Sequence, residues 1–149
     1  MKDYEILYMK EAIKEAMKAY NSGEIPVGAV IVKNGNIIAR AHNMKETKMC
    51  AIKHAEIIAI ERACAKLNNW RLIGCTMYVT MLPCPMCASA INQSRICNIY
   101  YGTVPDYAEK EAVEKILNDK NYGLPVKLSG SILEQDCGKL LKQFFVEKR

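Results

Sequence analysis

Residues 83–87 read Pro83-Cys84-Pro85-Met86-Cys87, and a second short motif, His54-Ala55-Glu56, precedes them in the chain. Two cysteine thiolates and one imidazole can hold a zinc ion and leave the fourth position of its tetrahedron open. A structural zinc site would close that position with a fourth side chain, whereas an open position admits water. We therefore predict a catalytic zinc site held by His54, Cys84 and Cys87, with Glu56 free to move protons.

A Cys-x-x-Cys pair is also the motif of redox-active proteins, in which the histidine would be unrelated to the cysteines. The preceding Pro83, the His-x-Glu triplet and the order of the two motifs favour a metal site over that alternative. Cys50 lies in the polar loop before His54 and is an alternative fourth ligand. We expect it to stay out of the metal site, because water activation needs the open position.

The residues around each motif also predict the local backbone. Pro85 suits the first position of a helix, where its missing N–H group would have no partner, so Cys84 would cap that helix. The cysteine sulfurs would then lie at the positive end of the helix dipole, which favours thiolate over thiol. His54 would begin a second helix with Glu56 in its first turn, and the backbone N–H groups of Ala55 and Cys84 are plausible donors to the site.

The composition is that of one globular domain over residues 1–149. The chain is 50% apolar and 25% charged, with no run long enough to span a membrane and no targeting segment. Its net charge of +5 permits an anionic partner without requiring one. Five of the seven cysteines lie outside the metal motif and are predicted to be buried, reduced thiols of a cytoplasmic protein: Cys50, Cys64, Cys75, Cys97 and Cys137.

Hydrophobic periodicity and turn signals predict the order of elements. Helices are predicted over residues 4–21 and 54–67, from Cys84, from the capping pair Asp106 and Glu109, and from the capping pair Ser131 and Glu134. Strands are predicted over residues 27–32, 37–42, 76–80, 96–101 and 126–129, with a hairpin turn at Asn34-Gly35. This order predicts a three-layer α/β/α fold, in which a mixed five-stranded sheet has helices on both faces and the two metal helices lie side by side.

Two residues near the predicted site have both a functional and a structural interpretation. Gly28 lies inside the first strand, which indicates close approach of a ligand or of another backbone, and the alternative is a simple packing glycine. Asn43 follows the second strand, where asparagine is commonly a turn former. Because that strand end lies near the metal helices, Asn43 is also a candidate for substrate contact.

The H-x-E … P-C-x-x-C signature is that of zinc-dependent nucleobase deaminases, and the chain resembles the cytidine deaminase-like superfamily. Over most of its length it most resembles the bacterial tRNA adenosine deaminases, which make inosine at the anticodon wobble base. The resemblance rests on residues 8–12, Glu24-Ile25-Pro26-Val27-Gly28-Ala29-Val30, Ala41-His42-Asn43, His54-Ala55-Glu56, and residues 70–72, 78–80, 83–87, 94–96, 130–133 and 137–145.

This resemblance implies a zinc-dependent deaminase with one zinc ion per subunit, and a homodimer whose tRNA site spans both subunits. It implies that Asn43 contacts the substrate nucleoside, and that the last helix, with Phe144 and Phe145, lies near bound RNA. The same helix has a basic side formed by Lys139, Lys142, Lys148 and Arg149.

Three departures from that family concern substrate recognition. Leu82 stands where the family usually has glutamate, and Gln93 stands where it usually has histidine. After Gly102, the family has an Asp, a Lys and a glycine-rich run that shape the RNA site. This chain instead continues with Thr103-Val104-Pro105-Asp106-Tyr107 and a charged helix that ends near Leu117.

Three functional hypotheses follow. The first is deamination of adenosine to inosine at the wobble position of the tRNA anticodon arm, which the overall resemblance favours. The second is deamination of a small free base or nucleoside (guanine, cytosine or adenine), which the altered 102–117 segment favours because it would close a small pocket. The third is a non-catalytic zinc protein, against which Glu56 argues because a structural site needs no proton shuttle.

Overall fold

A computed structural model describes residues 1–148 of the chain, and Arg149 of the predicted basic side lies outside them. The described helices are α1 (Asp3–Asn21), α2 (Ala55–Leu67), α3 (Pro85–Gln93), α4 (Lys110–Leu117) and α5 (Glu134–Glu147). The strands are β1 (Gly28–Lys33), β2 (Asn36–His42), β3 (Cys75–Met81), β4 (Asn98–Thr103) and β5 (Lys127–Ser129).

The strands form one mixed sheet in the order β2-β1-β3-β4-β5. The strand β1 is antiparallel to both β2 and β3, whereas β4 is parallel to both β3 and β5. The turn between β1 and β2 has positive φ angles at Asn34 (51°) and Gly35 (77°), as a hairpin turn that follows the sheet twist requires. The sequence-based prediction of a mixed five-stranded sheet is therefore confirmed.

Alternate residues of the central strand β1 belong to two hydrophobic clusters, one on each face of the sheet. Ala29 and Ile31 pack with residues from α2, α3 and α4, and this larger cluster is buried. Val30 and Val32 pack with residues of α1 and α5 on the opposite face. The period of two along β1 thus places helices on both faces. The helices α2 and α3 contact each other on one of these faces, as predicted.

Both predicted capping pairs are wrong. The backbone at Asp106 turns, with the Ala108 N–H donating to the Pro105 carbonyl, and α4 begins only at Lys110. The helix α5 begins at Glu134, because Ser131 and Leu133 have left-handed φ angles of 66° and 53°. Ile132, between them, is buried in the core, which fixes this backbone path.

The strand β4 also differs from its prediction, because it continues through Gly102 to Thr103. A Cβ atom at Gly102 would lie 2.4 Å from the Cys137 sulfur, so this glycine is required by the close approach of α5.

The cysteines outside the metal motif differ in exposure, and all are free of disulfides. Cys75 and Cys137 are buried as predicted, whereas Cys50 and Cys64 are partly exposed. The prediction of burial is wrong for Cys97, which lies just before β4 and is exposed. Within residues 1–148, no helix has the length and apolar character to cross a membrane.

Candidate active site

The helices α2 and α3 point their N-termini at one another, and the residue at each N-cap is a predicted metal ligand. His54 caps α2, and Cys84 caps α3, with Pro85 in the first turn as predicted. Cys87 follows in the first turn of α3 and is fully buried. Both helices therefore begin at the residues that the sequence predicts, and the sheet brings their N-termini together.

The three predicted ligand atoms converge. The Nδ1 atom of His54 lies 3.7 Å from the Cys84 sulfur and 3.5 Å from the Cys87 sulfur. All three donor atoms lie within 4.8 Å of one another. A tetrahedral zinc ion with ordinary Zn–S and Zn–N bonds would separate its sulfur and nitrogen ligands by about 3.6 Å. The donor set and its spacing therefore fit zinc, and Cys50 is not part of the group.

Contacts among these three side chains shift their protonation. Hydrogen bonds from Cys87 and His54 lower the pKa of the Cys84 thiol to about 4, against the opposing effect of burial. The hydrogen bond with Cys84 raises the pKa of His54, and the negative Cys84 together with burial raises that of Cys87. The Cys84 thiolate thus accepts hydrogen bonds from Cys87 and His54. A bound divalent cation would replace the protons of these hydrogen bonds.

The three residues His54, Cys84 and Cys87 are called the ligand group below. Glu56 lies beside this group in the first turn of α2 and is only 3% exposed. Burial is the main cause that raises the pKa of its carboxyl to about 7. A carboxyl with that pKa can both hold and release a proton near neutral pH, which is the property of a general acid and base.

A cavity of about 380 Å³ opens above His54, Glu56 and Cys84. Asn43 and Lys45 contribute to one of its sides, following the end of β2. Phe144, Phe145 and Lys148 line it from the C-terminal end of α5. Phe145, for which the resemblance implies a place near bound RNA, thus shares a cavity with His54 and Glu56, and its contact with a substrate stays a prediction.

Asn43 and Ala55 were both predicted to face the substrate, and the structure joins them to each other. The Asn43 side-chain Oδ1 accepts a hydrogen bond from the Ala55 backbone N–H at 2.8 Å. That N–H group is therefore used within the protein rather than directed into the cavity, which corrects the prediction for Ala55. Asn43 itself lines the cavity.

Gly28 does not line this cavity, and its position corrects the prediction of a ligand contact. A Cβ atom at Gly28 would lie 2.0 Å from the carbonyl oxygen of Ala12 and 2.4 Å from the nitrogen of Ala16. The close approach at this glycine is thus to the backbone of α1, the second of the two approaches that the sequence indicates.

Tyr107 and Glu24 line the cavity but were not singled out from the sequence. Tyr107 belongs to the altered segment after Gly102, which was recognised only as a departure from the family. Tyr107 also lines an adjoining pocket of about 240 Å³. Apolar residues between the end of β3 and α4 form most of that second pocket, among them Leu82, Pro105, Ala112 and Val113.

Comparison with protein families gives one match, over residues 2–103, to the family described as the cytidine and deoxycytidylate deaminase zinc-binding region. Among curated proteins, the chain is 46% identical over 144 residues to the tRNA-specific adenosine deaminase of Bacillus subtilis (strain 168). That match covers 96% of this chain and 89% of the relative.

Two solved structures are similar in both fold and sequence. One, from work on A-to-I editing by tRNA:A34 deaminases at the wobble position of transfer RNA, has a TM-score of 0.85 and 33% identity. It covers 91% of this chain and 99% of its own. The other is the guanine deaminase of Bacillus subtilis, with a TM-score of 0.64 and 38% identity over 70% of this chain and 66% of its own.

Proposed function

The chain belongs to the cytidine and deoxycytidylate deaminase family that is defined by its zinc-binding region, and from this premise we propose that it is a tRNA adenosine deaminase. The reaction would convert adenosine to inosine at the anticodon wobble position. One observation carries the proposal: the three-ligand group beside buried Glu56 lies at a cavity, in a chain 46% identical to a tRNA-specific adenosine deaminase.

His54, Cys84 and Cys87 would hold one zinc ion per subunit. These three ligands would leave the fourth position of the zinc tetrahedron to water, because among residues 1–148 no fourth His, Cys, Asp or Glu ligand lies with them. When bound, zinc supplies a Lewis acid that lowers the pKa of such a water to roughly 7.

Glu56 would move the protons of the reaction. Its carboxylate takes a proton from water and delivers it to the ring nitrogen of the base, and a further proton leaves with ammonia. Water adds an oxygen to the ring carbon while the exocyclic amine departs, so adenosine and water give inosine and ammonia. The burial that raises the pKa of Glu56 to about 7 suits a group that must accept and donate in one cycle.

The remaining cavity residues would bind and orient the base. Asn43 presents its side chain from a position fixed by its bond to Ala55. Phe145 and Lys148 at the end of α5 offer an aromatic surface and a cation, which suit an unstacked base and its phosphate. Such an enzyme takes its target base out of the stack before reaction, so an open cavity is needed.

The homodimer, a tRNA site that spans both subunits, and a cytoplasmic location belong to this proposal as well. They rest on the likeness to tRNA deaminases, whose reaction suits a place where tRNA is present. The backbone N–H of Cys84 as a donor to the site also stays a prediction.

A specific observation favours a second candidate, deamination of a small free base. Tyr107 from the altered segment lines the cavity. In addition, this chain is 38% identical to a guanine deaminase over 70% of the residues of this chain. An aromatic residue there would restrict a cavity that a polynucleotide must enter.

A deamination assay with two sets of substrates tests both candidates. One set is an anticodon stem-loop with adenosine at the wobble position, scored for inosine, with the same stem-loop carrying guanosine there as control. The other is a panel of free bases and nucleosides, scored for ammonia. Zinc-loaded Glu56→Ala protein is the matched blank.

Inosine in the stem-loop, absent with Glu56→Ala, is the result expected. Ammonia from a free base with the RNA unchanged would replace the tRNA proposal by the second candidate. No product from either set would refute deamination of these substrates altogether.

A further inference from the structure

Glu24 is a buried carboxylate that the proposed reaction does not use. It follows the end of α1 and is 2% exposed, although it is charged in water at neutral pH. Its backbone N–H donates to the Ala19 carbonyl at 2.9 Å, which fixes it to the last turn of α1. A buried carboxylate is costly unless its oxygens accept hydrogen bonds, so its partners indicate why it is there.

Within residues 1–148, the hydrogen-bond partners of the Glu24 carboxylate all belong to one loop, residues 44–53, which we call the 44–53 loop. One oxygen accepts from the Glu46 backbone N–H at 3.1 Å. The other accepts from the Thr47 backbone N–H at 2.6 Å and from the Thr47 hydroxyl at 2.7 Å. Burial acts to raise the pKa of Glu24, but these hydrogen bonds outweigh it and the pKa is lowered.

The 44–53 loop connects Asn43 to the ligand His54 and forms part of the cavity wall. Its two ends are joined, because the Met44 N–H donates to the Lys53 carbonyl at 3.0 Å. Several further backbone hydrogen bonds lie within the loop, such as that from the Cys50 N–H to the Lys45 carbonyl, and the Ile52 carbonyl accepts from the His54 N–H at 2.8 Å. Lys45 and Glu46 line the cavity, as does Glu24 itself, so the bonds from Glu24 hold the part of the loop that faces the substrate.

We infer that Glu24 is a positioning residue for deamination: its carboxylate clamps the 44–53 loop against the end of α1 and thereby sets the substrate-binding wall of the cavity. This inference deepens the proposed function and rests on it for its catalytic meaning. It assigns Glu24 an effect on substrate binding rather than on zinc binding or proton transfer, because the clamp touches neither the ligand group nor Glu56.

Substitution of Glu24 and Thr47 tests the clamp at both of its ends. Glu24→Gln keeps the size of the side chain but offers an N–H group where one of the backbone donors needs an acceptor. Thr47→Val removes only the hydroxyl, and Thr47→Ser keeps it and serves as the matched control. Because Thr47 lies in an exposed loop, its variants test the inference even if Glu24→Gln folds poorly.

Each variant is compared with wild type by steady-state kinetics, zinc content, melting temperature and amide hydrogen exchange at residues 46 and 47. We expect Glu24→Gln to raise KM by about tenfold, as loss of a charge-assisted hydrogen bond predicts, with kcat within about twofold. Thr47→Val should give a smaller rise in KM, and Thr47→Ser should resemble wild type. Zinc content should stay unchanged, and exchange at residues 46 and 47 should be faster in both impaired variants.

Unchanged KM and unchanged exchange in Glu24→Gln and Thr47→Val would overturn the inference. A fall in kcat together with loss of zinc would also overturn it, because Glu24 would then support the metal group instead. A purely structural role would lower the melting temperature of Glu24→Gln without the KM change. If wild-type protein deaminates none of the substrates, the proposed function fails, but the exchange measurement still tests the clamp. Faster exchange at residues 46 and 47 in Glu24→Gln would then support the clamp, and unaltered exchange would refute it.

Discussion

Asn43 Oδ1 accepts a hydrogen bond from the backbone N–H of Ala55 at 2.8 Å, and this bond joins the end of β2 to the first turn of α2. Ala55 lies in the chain between His54, a proposed zinc ligand, and Glu56, the proposed proton carrier. The Asn43 side chain therefore lines the cavity and also fixes the backbone that carries His54 and Glu56.

Substitution of Asn43 should separate these two functions. Asn43→Ala leaves the buried N–H of Ala55 without its partner, which should lower the free energy of unfolding by about 1–3 kcal/mol. Asn43→Asp keeps the acceptor and should retain most of that stability, but it loses the amide donor and should still lower kcat/KM. Urea unfolding and steady-state kinetics measure the two effects. Equal stability of Asn43→Ala and wild type would show that the bond is not needed.

Glu56→Gln should bind zinc as wild type does and lose activity. General acid and base groups contribute roughly 10²- to 10⁴-fold to rate, so kcat should fall by that range. Glu61→Gln is the matched control, since Glu61 is an exposed carboxylate on the same helix. Metal analysis and a single-turnover assay provide the measurements. Retention of full activity by Glu56→Gln would exclude Glu56 as the proton carrier.

Cys87→Ala should lose zinc, because a tetrahedral site with two protein ligands binds the metal much more weakly than one with three. Folding should suffer with it, since metal binding contributes free energy to the folded state. Cys97→Ala is the control, because Cys97 is an exposed cysteine outside the ligand group. Zinc content after dialysis against a weak chelator distinguishes them. Full zinc content in Cys87→Ala would refute its role as a ligand.

Cys137 should make the protein less stable in alkali. Burial raises the pKa of its thiol from 9.0 to about 12 in the folded chain. A raised pKa gives a contribution to stability that is complete below pH 9 and is lost as pH rises toward 12, at up to about 1.4 kcal/mol per pH unit. Urea unfolding from pH 8 to 11 should show a shallower alkaline decline for Cys137→Ala than for wild type. An identical decline in both would contradict this assignment, and exposed Cys97→Ala should keep the wild-type decline.

The sequence predicts best those features whose causes lie close together in the chain. The caps of α2 and α3 follow from His54 and from Cys84-Pro85, and the hairpin follows from Asn34-Gly35. Helix periodicity and strand order then suffice for the mixed sheet. The His54 motif and the Cys84 motif come together only because of that sheet. The sequence nevertheless predicts that they meet, because a zinc ion needs three donors at one point.

Features that depend on distant partners were not predicted. Ser131 has the local pattern of a helix cap, but burial of Ile132 fixes a different backbone there. The Glu24 carboxylate finds its hydrogen-bond partners at Glu46 and Thr47, which lie 22 and 23 residues further along the chain. Tyr107 lines the cavity together with Met81 at the end of β3, and no periodicity in the sequence predicts that they lie together.

Lys148 provides a test of whether RNA is the substrate. It lines the cavity at the end of α5, and Lys142 is an exposed residue of the same helix. A lysine that neutralises a phosphate of single-stranded RNA releases counterions, so each such contact adds about 0.7 to the slope of log affinity against log salt. Lys148→Gln should therefore weaken stem-loop binding and flatten its salt dependence by about that amount, and the double variant with Lys142→Gln should flatten it further.

The control for this measurement is Lys66→Gln, since Lys66 is exposed in the last turn of α2, about 20 Å along the helix from the ligand group. Binding is measured by fluorescence anisotropy of a labelled stem-loop between low and physiological salt. A small free base carries no phosphate, so its affinity should depend little on salt in any variant. A salt slope that is the same in wild type, Lys148→Gln and Lys66→Gln would show that α5 does not contact the RNA backbone, and the tRNA proposal would lose its support at this end of the cavity.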